Sequence, residues 1–116
     1  MYHIVWIPKY RKKVLEGSVK IELERLLREI VVINGWAIQE LNIQIDHVHL
    51  VIQLPPSVSV SKVVQLLKGT TSRMLRQQLP EIKKYLWGND FWSDGSFCET
   101  VGQCIEEAIR KYVCEQ

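Results

Sequence analysis

Between Leu41 and Leu54 the chain reads Leu-Asn-Ile-Gln-Ile-Asp-His-Val-His-Leu-Val-Ile-Gln-Leu, and apolar and polar residues alternate along it. His47, His49, Val51 and Gln53 fall on one side, Val48, Leu50, Ile52 and Leu54 on the other. A period of two is the pattern of a β-strand, and positions two apart put both imidazoles on one face, about 7 Å apart along the backbone. The same periodicity predicts a first strand over 2–8, where Ile4 and Trp6 alternate with His3, Val5 and Ile7, and another over 36–45, with Leu41, Ile43 and Ile45 on one side. Asp46 then lies in a tight hairpin. Helical spacing appears after Ser18, a candidate N-cap, at Val19, Leu23, Leu26, Leu27, Ile30 and Ile33, with Gly35 as the stop. A second helix is predicted from Ser57 or Ser59 to Pro80, with Val60, Val63, Val64, Leu67, Met74 and Leu75 as its stripe. Lys68-Gly-Thr-Thr-Ser72 interrupts its middle with poor helix formers. A polar connector over 81–89 carries Tyr85 and Trp87, a fourth strand over 91–101 is broken at Gly95, and Gly102 releases a last helix to Gln116.

The first six elements run strand, helix, strand, strand, helix, strand. This is the split βαβ pattern of an α+β, ferredoxin-like fold: an antiparallel βαββαβ sheet with both helices on one face. That topology puts the first and third strands at the centre of the sheet. The histidine face is then the one left for the extra C-terminal helix to cross.

Composition narrows the class without naming a chemistry. A chain of 116 residues, 47% hydrophobic and 24% charged, is expected to form one domain over 1–116 with its own core. No apolar run reaches the length of a membrane span and no signal-peptide pattern opens the chain, which predicts a cytoplasmic protein. Cys98, Cys104 and Cys114 are odd in number, lack metal-type spacing, and read as reduced packing thiols. A net charge of +2 does not by itself demand a nucleic-acid partner. The cluster Lys9-Tyr-Arg-Lys-Lys13 suits either a phosphate backbone or a solvated loop. Lys9, Arg11 and Lys12 there, with Lys68 and Arg73 on the second helix, are the candidate DNA contacts.

A bare His-x-His pair is first of all what a half-buried strand with alternating histidines looks like; the other reading is two neutral imidazoles aimed at one metal ion. The last helix supplies a further candidate. Ile105, Ala108, Ile109, Tyr112, Val113 and Gln116 share one face, and Tyr112 and Gln116 are one turn apart. Tyr112 reads either as a core aromatic or as a nucleophile, with Gln116 as an oxygen ligand beside the imidazoles. A tyrosine of pKa about 10 needs a cation that polarises the phosphate before it attacks at neutral pH.

Asp46-His-Val-His-Leu50 followed by Pro55-Pro56, then Leu67-Lys-Gly69, Leu86-Trp-Gly88, Phe91-Trp-Ser93, Thr100-Val-Gly102 and Arg110-Lys-Tyr-Val-Cys-Glu-Gln116 closely resembles the small single-tyrosine HUH transposases of the insertion sequence 200/605 group. The opening Tyr2-His-Ile-Val-Trp-Ile-Pro-Lys-Tyr-Arg11 matches as well, so the likeness covers essentially the whole chain. The resemblance implies a ferredoxin-like fold and a homodimer acting on single-stranded DNA, the hairpin ends of its own element. It implies a Mg²⁺ or Mn²⁺ ion held by His47, His49 and Gln116. Tyr112 would attack the backbone to give a 5′-phosphotyrosine link and a free 3′-OH. The last helix would complete the partner's histidine site, with Gly102 as its hinge. Two departures stand out. Relatives usually extend further at both ends, which leaves the Gln116 end shortened, and Ser96 stands where relatives more often carry an aromatic residue. Two other classes compete: a non-catalytic ferredoxin-like module binding single-stranded nucleic acid, and a Zn²⁺ hydrolase using His47, His49 and Asp46 with Tyr112 in the core. The Tyr112/Gln116 pair discriminates, because neither alternative needs it.

Overall fold

The computed structural model describes residues 1–80 and 91–100. Along these the chain forms β1 (Tyr2–Trp6), a 3-10 turn (Lys9–Arg11), α1 (Gly17–Ile33), β2 (Ala37–Gln44), β3 (His47–Gln53), α2 (Val60–Gln78) and β4 (Phe97–Thr100). The strands make one sheet in the order β2-β3-β1-β4, every pair antiparallel. The central pair is β1 and β3, as the ferredoxin-like pattern requires. The polar connector, Tyr85, Trp87, Gly102 and the last helix with Cys104, Tyr112, Cys114 and Gln116 lie outside the described residues.

The alternation in β1 and β3 decides which side of the sheet receives the helices. Ile4, Trp6, Val48, Leu50 and Ile52 are all fully buried and share a core with Leu23 and Leu27 of α1 and Val63, Leu67 and Leu75 of α2. Each such side chain contributes roughly 1.5–3 kcal/mol on burial. The Arg25–Glu29 and Arg28–Glu24 pairs on α1 are exposed, and solvent screening leaves such pairs little net worth. The helix-side layer, not the surface ion pairs, holds the fold.

Several boundaries differ from expectation. β1 ends at Trp6, although Pro8 still bridges Trp92. Ser18 is not the cap of α1: the helix starts at Gly17 with Glu16 at the N-cap position and no side-chain cap bond. Gly35 does stop α1, at φ +76°, with its N–H on the Val32 carbonyl. α2 runs unbroken through Lys68–Ser72. The reason is Thr71, fully buried, which fills the apolar stripe between Leu67 and Leu75 and donates its hydroxyl to the Leu67 carbonyl at 2.6 Å. The same Oγ1 accepts the indole N–H of Trp92 at 2.9 Å, so a residue of weak helix propensity is kept by a buried bond. The fourth strand is shorter than predicted, Phe97–Thr100, because Gly95 at φ +79° turns the chain just before it. Cys98 is exposed rather than packed: it pairs with Ile4 on an outer strand.

Candidate metal and nucleic-acid site

β3 begins directly after the Ile45-Asp46 turn, and its register with β1 and β2 fixes what surrounds the histidines. His49 lies opposite Val5 of β1 and Asn42 of β2, and His47 opposite Gln44. Partners across a ladder point to the same face, so His47 and His49 project away from the helices. His3 of β1, opposite Val51, points the same way. All three histidines therefore share the face that the helices leave.

His3 was not among the residues singled out from the sequence. Its Nδ1 lies 3.1 Å from Nε2 of His49, and the two rings stack with centroids 5.2 Å apart. A bond between two imidazole nitrogens needs one donor and one acceptor, so the pair holds at most one charge. Burial pushes the His49 pKa below its ordinary value, and the nearby His3 and His47 push it the same way against the pull of Glu40. His49 is accordingly neutral at neutral pH, the form that ligates metals. A signal for His3 was present: it alternates with Ile4 and Trp6 on a strand that the topology sets beside β3.

His47 is held differently. Asp46, its chain neighbour, accepts from His47 Nδ1 at 3.0 Å and, through its other oxygen, from Arg11 Nε at 2.9 Å. Burial raises the Asp46 pKa, but the bonds from His47 and Arg11 and the Arg11 charge outweigh it and leave the carboxyl below its usual range. An ionised carboxylate can only accept, so Nδ1 of His47 carries a proton and the ring is held by that nitrogen, with Nε2 on its far side. A carboxylate behind one ring nitrogen is the usual support of a metal-binding histidine.

Two imidazoles on one face, His47 and His49, are donors of the kind that could hold a divalent cation. Among the described residues no group of three His, Cys, Asp or Glu side chains converges on one point. Gln116 and Tyr112 lie outside the described residues.

The candidate DNA contacts separate into two groups. Arg11, and with it Lys9 and Lys12, follow β1 at the edge of the histidine site, Lys9 lying 5.8 Å from the centroid of the exposed Tyr10 ring. Lys68 and the exposed Arg73 belong to α2, on the opposite side of the sheet. Lys68 donates to the carbonyls of Ser93 and Gly95, at 2.7 Å each, and clips the loop before β4 onto α2. Burial pulls its pKa down, against Asp94 and Cys98. The structure thus brings Arg11 to the histidines and does not bring Lys68 or Arg73 to them.

With that arrangement in view, the likeness to known proteins is specific. The family described as transposase IS200 like matches residues 1–116. The chain is 34% identical over 115 residues to the ISDra2 transposase TnpA of Deinococcus radiodurans, covering 99% of this chain and 82% of that one. It is equally 34% identical to the transposase for insertion sequence element IS200 of Salmonella typhimurium, covering 75% of that protein. A crystal structure of a protein from Deinococcus radiodurans assigned as a transposase superposes with a TM-score of 0.92 at 31% identity, over 99% of this chain and 88% of that one. A REP-associated tyrosine transposase bound to a REP hairpin shares the fold, with a TM-score of 0.62 at 12% identity, over 97% of this chain and 61% of that one. A full-length family match, sequence relatives along nearly the whole chain and a shared fold lead to one conclusion: this chain belongs to the IS200-like transposase family.

Proposed function

We propose that the protein cleaves and rejoins single-stranded DNA through a covalent tyrosine intermediate, and that it works as a homodimer on hairpin ends of its own element. The observation that carries this reading is the imidazole pair on the sheet face away from α1 and α2, with His47 held through Nδ1 by Asp46 and the pKa of His49 lowered by burial. A non-catalytic binding module has no use for two imidazoles tuned in this way. In the proposed reaction Tyr112 Oη attacks the phosphorus and loses its proton. The phosphorus–O3′ bond breaks, the 3′ oxygen leaves as the hydroxyl of one strand end, and the 5′ end stays linked to the tyrosine. Attack by a 3′-OH on that link reverses the step. His47 and His49, with Gln116, would hold a Mg²⁺ or Mn²⁺ ion, which when bound supplies positive charge against the phosphate oxygens. Lys9 and Lys12, within and next to the turn that carries Arg11, are assigned to the phosphates of a strand crossing the histidine face.

The test is a labelled single strand carrying a hairpin end, run on a denaturing gel with and without Mg²⁺. The wild-type protein is expected to shift label to a protein-linked band. Tyr112→Phe keeps the ring but removes the attacking oxygen, so it should fold and bind DNA yet give no adduct. An adduct formed by Tyr112→Phe moves the nucleophile elsewhere and overturns the assignment.

A further inference from the structure

Arg11 is, from sequence, a natural phosphate contact in a basic cluster. In the folded chain its Nε donates at 2.9 Å to Oδ2 of Asp46, whose Oδ1 accepts from His47 Nδ1 at 3.0 Å. The side chain of Asp46 is only 14% exposed and that of Arg11 33%, so the pair is partly withdrawn from solvent. The backbone is bent to make this contact. Tyr10 and Arg11 are the two non-glycine residues with positive φ among the described residues, at 59° and 52°. Consecutive left-handed residues with side chains persist only where surrounding contacts hold them, and such strain gathers at functional sites. The turn points Tyr10 outward, 68% exposed, while Arg11 reaches the histidine hairpin 35 positions away. A second fastening lies alongside, the Leu15 N–H on the Ile45 carbonyl at 3.0 Å.

We infer that Arg11 is a positioning residue for the metal site, acting through Asp46 on His47, rather than a DNA contact. Arg11 holds the Asp46 carboxylate in place. Asp46 in turn holds the His47 ring by Nδ1 and leaves Nε2 as its ligating nitrogen. Without Arg11 the carboxylate rotates toward water and the imidazole samples both tautomers and more than one ring orientation. The inference rests on the proposed metal site, and the experiment separates the two.

Mn²⁺ binding to metal-stripped protein is measured by electron paramagnetic resonance, without DNA, for wild type, His47→Ala, Arg11→Met, Arg11→Lys and Asp46→Asn. Outer partners of a ligating histidine typically change metal affinity by about 10–100-fold. Arg11→Met and Asp46→Asn are each expected to weaken Mn²⁺ binding within that range, and the double variant no further than the stronger single one. Arg11→Lys should recover part of the loss by keeping the charge. ¹⁵N spectra of the metal-free protein should show His47 protonated on Nδ1 in wild type and as a tautomer mixture in Arg11→Met, a change that a merely structural tether would not produce. Single-strand DNA affinity in chelator should stay within about twofold of wild type, whereas a phosphate contact would weaken it and lower the salt slope by about 1. If His47→Ala binds Mn²⁺ as wild type does, the metal site itself is wrong. If His47→Ala loses Mn²⁺ and the Arg11 variants do not, the site stands and the role of Arg11 is overturned. Should Arg11→Met not fold, Arg11→Lys and Asp46→Asn carry the same comparison.

Discussion

At the scale of single residues the site is a matter of where protons sit. His49 has its pKa lowered first by burial and then by the neighbouring histidines. Its folded value is therefore below the unfolded value of about 6.5. As the pH falls below about 6.5, the unfolded chain takes up this proton before the folded one, so stability is lost from there down to the folded value and the loss is then constant. Asp46 acts lower. Its depressed pKa contributes stability above about 4, which disappears as the pH falls through the folded value. An NMR titration of the imidazoles in chelator should give His49 a midpoint below 6.5, and His3→Ala should raise it by removing both a cover and a like charge. A midpoint at or above 6.5 in the wild-type protein would show that His49 is not the half-buried, neutral imidazole described.

At the scale of elements, α2 shows how a buried bond overrides propensity. Thr71 and Gly69 weaken the helix on paper, yet the helix is continuous. Thr71 is retained because it accepts from Trp92, and Trp92 packs edge-on against Trp6 of β1 and against Phe91. Gly69 has no such reason among the described residues: a Cβ built there meets nothing within 4 Å, and its φ is not positive. Gly69→Ala should therefore stabilise the protein by about 0.5–1 kcal/mol, through backbone entropy alone. Urea denaturation measures it. A stabilised variant with weakened DNA binding would assign the bare glycine to a close approach of the nucleic acid; a destabilised one would contradict the open surroundings.

At the scale of the molecule, the core and the histidine site are on opposite faces of one sheet. The helix-side layer of Ile4, Trp6, Leu50, Ile52, Leu23 and Leu67 needs no metal to hold it. Stripping metal with a chelator should leave the melting temperature within a few degrees, unlike a zinc finger, whose folding is its metal binding. Cooperative unfolding in chelator would make the metal structural. Light scattering at micromolar concentration should give a dimer in either condition, and a clean monomer would remove the proposed shared site. No described helix is long and apolar enough to cross a membrane.

Periodicity alone determined much of this protein. Alternation at Ile4/Trp6 and at Val48/Leu50/Ile52 placed two strands and their buried face, and the element order placed them at the centre of the sheet. The His-x-His spacing put His47 and His49 on the other face, because a strand's geometry is local. What sequence could not decide depends on contacts between distant positions. Nothing in Lys9-Tyr-Arg-Lys-Lys13 says that Arg11 turns back to Asp46, since that requires the left-handed turn and the β1–β3 register together. Lys68 reads as a phosphate ligand until the loop before β4 presents it with two carbonyls. Thr71 reads as a helix breaker until Trp92 arrives. His3 joins His49 only once β1 lies beside β3. Local spacing sets which way a side chain faces; only the folded sheet decides what it meets there, because the partner's charge, burial and hydrogen bonds come from the other end of the chain.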